Sequence, residues 1–271
     1  VLDLHMHSTA SDGADSPALL VQKAKQAGVE LMSITDHDSI GAYEEAAREA
    51  QIQGIHLITG IELNTSSQDG EFHVLGYGFD LYSTALADYL NWRVDDRMTW
   101  NQQLVQNLQS LGYEIEWEDV QEVATGSIIV RTHIAEALKK RGYFETAEEA
   151  YHSLLIKGKP AFEPRADFSV EEAISLIHQA GGKAFLAHPG LYTEAVPIER
   201  YLEAGLDGIE VFHARHRLKQ TAYWLGKASD YGCLISGGSD YHGEQSKNPG
   251  PIGSVTIPDA IKRYWLKEAG R

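Results

Sequence analysis

Cysteine is almost missing from this 271-residue chain; Cys233 is the only one. One thiol excludes an intrachain disulfide framework and any zinc site built from several thiolates. Long apolar runs are missing too, and none approaches the roughly 20 residues that a bilayer-crossing helix needs. Basic residues are scarce, 23 Lys and Arg against 39 Asp and Glu, which leaves a formal net charge of −16. Such a surface repels a phosphate backbone, so adhesion to duplex nucleic acid is not expected. A small phosphorylated molecule, or the end of a short oligonucleotide, stays admissible, because bound divalent ions invert the local field. From Val1 onward nothing has the pattern of a signal peptide, so the expected compartment is the cytoplasm. Neither a membrane nor an obligate protein partner is expected.

Hydrophobic residues make up 43% of the chain, enough to bury the core of one large domain or of a barrel with an insertion. Their pattern alternates strand and helix. Residues 1–6 read as a buried strand, and Ser16-Pro17 then opens a helix over 18–27 as cap and first-turn proline. A strand over 31–35 and a helix over 40–50 follow. Strands three and four are expected at 55–63 and 72–79, joined through the hairpin signal Asp69-Gly70. Later strands at 183–187, 208–212 and 234–236 are separated by helices at 170–180 and 218–231. Between 83 and 168 the rhythm breaks into helical patterns at 86–111, 117–124, 132–140 and 146–156, which reads as an insertion between the fourth and fifth strands. The stripe Leu104, Leu108, Leu111 is expected to be core packing.

Six short stretches end in residues able to bind a metal: Asp3-Leu-His-Met-His7, Thr35-Asp-His-Asp38, Gly60-Ile-Glu62, Phe72-His73-Val-Leu-Gly76, Ala187-His-Pro189 and Asp240-Tyr-His242. No one stretch completes a site. His5 and His7, two apart in a strand, share a face. Asp36-His37, Glu62, His188 and Asp240-His242 fall at or just past the C-terminal ends of expected strands, the rim where a barrel of parallel strands gathers catalytic groups. Imidazole and carboxylate together suit zinc, manganese or iron better than magnesium or calcium. A set this large fits two or three ions about 3.5–4 Å apart, with Glu62 as the natural bridge, and such ions acidify bound water toward a pKa of roughly 7. Metal-assisted hydrolysis is therefore the expected chemistry.

The same residues carry a resemblance. Asp3-Leu-His-Met-His-Ser8, Ser11-Asp-Gly13, Ile34-Thr-Asp-His-Asp38, Gly60-Ile-Glu62 and Gly238-Ser-Asp-Tyr-His242 resemble the PHP superfamily (polymerase and histidinol phosphatase). His73-Val-Leu-Gly76, Arg131-Thr-His133, Gly158-Lys-Pro160 and Ala187-His-Pro-Gly190 are similar to its stand-alone bacterial branch of nucleoside 3′,5′-bisphosphate phosphatases and 5′→3′ exonucleases on short RNA. The resemblance covers nearly the whole chain. It implies an α/β fold, a distorted (β/α)7 barrel from 1–82 and 169–271, with the helical insertion 83–168 as a substrate cap. It also implies a trinuclear centre: His5, His7, Glu62 and Asp240 on the first ion, Glu62, His73 and His188 on the second, Asp12, His37 and His242 on the third. Manganese is the implied ion, with iron or zinc as alternatives. Arg131 and His133 would bind a substrate phosphate, with Lys159 as a helper; His37, Glu62, Arg131, His133 and Asp240 form the catalytic set.

Plainer roles compete for several of these residues. Asp12-Gly13 alone is a turn, and Asp38 suits a helix cap better than a ligand. Asp36 is expected to orient a neighbouring histidine from behind. His213 and His216 follow an apolar strand and are candidates for substrate contact. Glu210 points opposite Ile209 and has no role legible from the residues. The expected reaction is hydrolysis of a nucleotide phosphate monoester, foremost the 3′-phosphate of a nucleoside 3′,5′-bisphosphate. Alternatives are 5′→3′ cleavage of short RNA, a nucleoside monophosphatase, or a degenerate metal-binding module without activity. An amidohydrolase-type reaction is disfavoured because no lysine stands at an expected strand end to bridge two ions.

Overall fold

The computed structural model describes residues 1–124, 129–246 and 250–270. Seven strands form one sheet in chain order: β1 (Leu2–Asp3), β2 (Leu31–Ile34), β3 (His56–Asn64), β4 (His73–Tyr77), β5 (Lys183–Leu186), β6 (Gly208–His213) and β7 (Leu234–Gly238). The ends of the sheet meet. Leu4 N donates to Gly237 O at 3.1 Å, Asp240 N to His5 O at 2.8 Å and His7 N to Tyr241 O at 2.8 Å, which nearly closes a barrel. Strand β1 is shorter than expected because residues 4–7 leave the ladder with β2, and only Met6 bridges Tyr241.

The strands are not all parallel. Strand β4 runs antiparallel to β3, with Asn64 opposite His73, and antiparallel to β5. The reversal follows from the short connection: Ser67 and Gly70 exchange backbone hydrogen bonds across a tight turn, and Gly70 takes φ 131°, a conformation glycine adopts without steric cost. A parallel return would need a crossover of a dozen residues or more. The beginning of β4 therefore lies beside the end of β3, and His73 joins the rim that the other strands reach with their C-terminal ends.

Helices α1 (Pro17–Gln26) and α2 (Tyr43–Gln53) pack outside β1–β3, with Leu20, Val21, Ala24, Ala46 and Ala50 buried against Met32 and Ile34. Ser16 caps α1, accepting from Leu19 N at 3.3 Å. Helix α2 begins three residues later than expected, at Tyr43, whose hydroxyl lies buried between Ile34 O and Ile58 O. Helices α3 (Thr84–Ser110), α4 (Trp117–Val123), α5 (Arg131–Lys140) and α6 (Ala147–Ala150), the last continued by a π-helical turn at Tyr151–Leu155, precede α7 (Val170–Gln179). A Ser169/Glu172 capping box starts α7. Helices α8 (Ile198–Glu203), α9 (Leu218–Tyr231) and α10 (Asp259–Ala269) complete the chain; α8 and α10 were not expected.

The chain divides into two compact units, Val1–Asp88 with Asp167–Arg271, and Tyr89–Ala166. The second has its own core, built from Leu104, Leu108, Ile134, Leu138, Leu155 and neighbours. Leu111 does not belong to that core and is 47% exposed, because α3 has ended at Ser110. No described helix is long and apolar enough to cross a membrane.

Candidate metal centre

Strand ends bring the site together. Beyond β2, His37 pairs in parallel with Glu62, and Asp38 N donates to Glu62 O at 2.9 Å. Asp38, His188 and Asp240 have φ of 47°, 29° and 54°, the only positive values at non-glycine positions among the described residues. All three stand where the chain turns away from a strand, and left-handed backbone of this kind clusters at functional sites because it costs on the order of 1–3 kcal/mol.

Glu62 is at the middle, 1% exposed. Its Oε1 lies 2.8 Å from His73 Nδ1 and 2.9 Å from His188 Nε2. Its Oε2 lies 3.1 Å from His7 Nε2, 3.2 Å from His5 Nε2 and 3.4 Å from His37 Nδ1. Each oxygen thus addresses a different set of imidazoles, as a bridging carboxylate must. Asp240 Oδ1 is 3.3 Å from both His5 Nε2 and His7 Nε2. Asp12 Oδ1 is 3.5 Å from His7 Nδ1 and 3.5 Å from His242 Nε2, and the rings of His7 and His242 stack at 3.9 Å. The potential ligand atoms fall into overlapping groups: His5, His7, Glu62, Asp240; His37, Glu62, His73; His7, Asp12, His37, His242; and His5, Glu210, His213.

This arrangement suits cations. His5 Nδ1 faces Glu210 Oε1 at 2.8 Å. A carboxylate only accepts, so the geometry assigns the proton to Nδ1 and, in the neutral ring, leaves Nε2 as a lone pair. That lone pair points at Glu62 Oε2 and Asp240 Oδ1, both acceptors. His7 Nδ1, His37 Nδ1, His188 Nδ1 and His213 Nε2 are buried without a hydrogen bond. Lone pairs and carboxylates facing one another in a dry site need positive charge between them.

Without metal, the groups divide the protons among themselves. Burial alone would raise Glu62, but His37, His5 and His73 outweigh it and hold the carboxyl well below the usual range. Asp240 is depressed in the same way, by His5, His213 and His7 against burial. Burial would lower His7, yet bonding to Asp240 and Glu62 lifts it to about 10. His37 falls to about 3, because burial dominates the pull of Glu62 and Asp12.

Several residues do other things than expected. Asp36 orients no histidine; its carboxylate accepts from Ser8 N at 2.8 Å, Ser8 Oγ at 2.6 Å and Ser11 Oγ at 2.6 Å, fixing the loop that carries Asp12. Asp38 caps no helix: Ala42 precedes α2, and Asp38 accepts from Asn64 N and Nδ2. His213 borders a cavity with Ala214, Leu218 and Thr221, but its ring is fully buried. A β-bulge between Glu210 and Phe212 shifts the register of β6, which turns His213 inward, 3.2 Å from Asp240 Oδ2. His216 is engaged at both ring nitrogens, with Val211 O at 2.9 Å and Gly190 N at 3.0 Å, and braces the turn after His188.

Glu210 is the functional residue that sequence reading left unassigned. Fully buried, it holds His5 Nδ1 and accepts from His188 N at 2.7 Å, the outer support that metal-ligating histidines usually have. The available signal was a lone glutamate inside the apolar run Ile209-Glu-Val-Phe212.

Arg131, His133 and Lys159 belong to the helical unit. Arg131 opens α5 with its guanidinium over the rings of Trp100 and Tyr151, 5.3 and 5.5 Å from their centroids. His133 Nδ1 accepts from Val130 N at 3.2 Å. Lys159 is exposed on the turn before Pro160.

Comparison with known proteins agrees with this chemistry. The PHP domain model matches residues 3–164. The 3′,5′-nucleoside bisphosphate phosphatase of Chromobacterium violaceum is 33% identical, over 100% of this chain and 97% of its own. The 5′-3′ exoribonuclease Rnm of Salmonella typhimurium is 31% identical over 89% of this chain and 85% of its own. A crystal structure from Bifidobacterium adolescentis, assigned as a metal-dependent phosphoesterase, superposes with a TM-score of 0.85 at 28% identity, covering 100% and 98% of the two chains. The PHP domain match and the full-length likeness to these hydrolases, together with the fold shared with the Bifidobacterium structure, make this chain a metal-dependent phosphoesterase and a member of the PHP domain family.

Proposed function

We propose that the chain removes a phosphate monoester from a small nucleotide, foremost the 3′-phosphate of a nucleoside 3′,5′-bisphosphate, with manganese at three positions. The observation that carries this reading is the two-sided use of Glu62, whose oxygens divide five imidazoles between them. His5, His7, Glu62 and Asp240 would hold one ion, Glu62, His73 and His188 a second, and Asp12, His37 and His242 a third. When bound, such ions supply Lewis acidity toward phosphoryl oxygens and a water acidified toward neutral pH.

The side chains do the rest. Glu210 and Asp36 keep His5 and the Asp12 loop in place, while His37, with a pKa held low, stays neutral and available as a ligand. Arg131 is proposed to bind the phosphate that is not cleaved. Its guanidinium lies over the rings of Trp100 and Tyr151, and one N–H donates to Leu155 O at 3.4 Å, which holds the group in place. His133 and Lys159 are proposed as helpers. The full-length likeness to the Chromobacterium bisphosphate phosphatase supports this order of preference.

Product analysis with the manganese-loaded protein tests the reading. At fixed salt, a nucleoside 3′,5′-bisphosphate should show a higher kcat/KM than the matching monophosphate, because a second anchored phosphate adds binding that is realised in the transition state. Equal efficiency on the two would refute the two-phosphate argument. Stepwise release of mononucleotides from short RNA would favour the exonuclease activity named for the Salmonella relative.

A further inference from the structure

Asp12 and His242, placed above on one ion, sit on loops outside the strand ladder. The loop 8–15 folds back on itself: Ser8 O accepts from Ser11 N at 3.1 Å and from Gly13 N at 2.9 Å. A Cβ at position 13 would lie 2.2 Å from His7 O, so glycine alone permits the closure. The second loop meets it directly. Ala14 N donates to His242 O at 2.8 Å, and a Cβ on Gly243 would fall 2.6 Å from Ala14 Cβ.

Behind this meeting point stand three side chains that the metal centre does not use. Asp15, 7% exposed, accepts from Lys23 Nζ at 2.9 and 2.8 Å and from the Tyr241 hydroxyl at 2.8 Å. Lys23 also donates to the Tyr241 hydroxyl at 3.1 Å. Each comes from a different piece of chain: Asp15 ends the first loop, Lys23 lies on α1, and Tyr241 separates Asp240 from His242. The Tyr241 ring packs in the core with Met6 and Leu20. The triad therefore ties two segments 226 residues apart to the rigid body of the barrel. What it fixes between them is the 3.5 Å approach of Asp12 Oδ1 to His242 Nε2.

We infer that Asp15, Lys23 and Tyr241 are positioning residues that set the spacing of Asp12 and His242, and thereby the affinity of the outermost of the three cation positions. The inference rests on the three-ion reading above. It concerns one position, because Glu62 and His73 are held by strand pairing, and His5 and His188 by Glu210, rather than by the triad.

The test counts manganese bound to the chelated, full chain without substrate, by calorimetry and by electron paramagnetic resonance of the free ion. Tyr241→Phe keeps the ring in the core, and Lys23→Met keeps the alkyl stem. Both should weaken one ion by about 10–100-fold, the range for loss of an outer support, and leave the other two within about twofold of wild type. The ion lost should be the one lost in Asp12→Asn, and Lys23→Arg should restore it. Lys262→Met, which breaks the exposed pair with Glu30, should change none of the three. If the wild type binds three ions and both triad variants bind them unchanged, the positioning role is wrong while the centre stands. Equal weakening of all three ions would mean general loosening and would also overturn it. A wild type that takes fewer than three ions would overturn the three-ion reading and this inference together.

Discussion

Residues that serve the site do so through contacts as much as through identity. Glu62→Gln keeps the shape of the bridge and removes its charge. Metal affinity and turnover should each fall by more than about 100-fold, the upper end for losing a mere outer support; elemental analysis beside a phosphate-release assay measures both. Arg131→Ala removes one charge-assisted contact worth about 1.5–3 kcal/mol. It should lower kcat/KM by roughly tenfold to 150-fold with metal content unchanged, and stripped metal would assign Arg131 to structure instead. At this scale the sequence disclosed which residue types were present and little of what lay behind them. His5, His7, Glu62 and Asp240 stand in recognisable motifs, and the structure places them in one group. Glu210 and His213 were illegible because a bulge in β6 decides which way His213 points, and bulges leave no mark in a period of two. Asp36 was misread for a related reason: its partners, Ser8 and Ser11, are close in space and distant in sequence.

Strands and helices were more legible. Apolar runs and caps located all seven strands, and the Asp69-Gly70 turn announced the reversal of β4. Helix α8 was missed because six residues carry too little periodicity to stand out, and the π-helical turn at Tyr151–Leu155 has no sequence signature separate from an α-helix. The seam where β7 meets β1 and the residues just after it is tight. A Cβ on Gly238 would lie 2.4 Å from His5 N and 2.8 Å from Asp3 Oδ1. Asp3 accepts from Ser239 N at 2.9 Å and from Gly253 N at 2.8 Å, so the carboxylate is already committed. Gly238→Ala should therefore push the seam apart at a cost of about 1–3 kcal/mol, read as a lower midpoint in urea, with manganese affinity reduced because His5 moves with the seam.

For the molecule as a whole, ions that bind only the folded state add to its stability. An ion present at 100 times its dissociation constant contributes about 2.7 kcal/mol, which for a chain of this length is on the order of 5–10 °C in Tm. Exhaustive chelation should lower Tm by at least that much and abolish turnover, and manganese should restore both; calorimetric scans with and without chelator decide it. Full activity after chelation would remove the metal from the mechanism. The seam between β1 and β7 also has a consequence in time. Its hydrogen bonds join His5 to Asp240 and His7 to Tyr241, so the ligands proposed for a single ion come from segments far apart in sequence. Contacts so distant in sequence form late and slowly, and a chain growing from its N-terminus holds His5, His7 and Glu62 long before Asp240 and His242 exist. Manganese uptake is thus a clock for ring closure: in a refolding experiment it should lag behind the recovery of helical signal and coincide with the last phase.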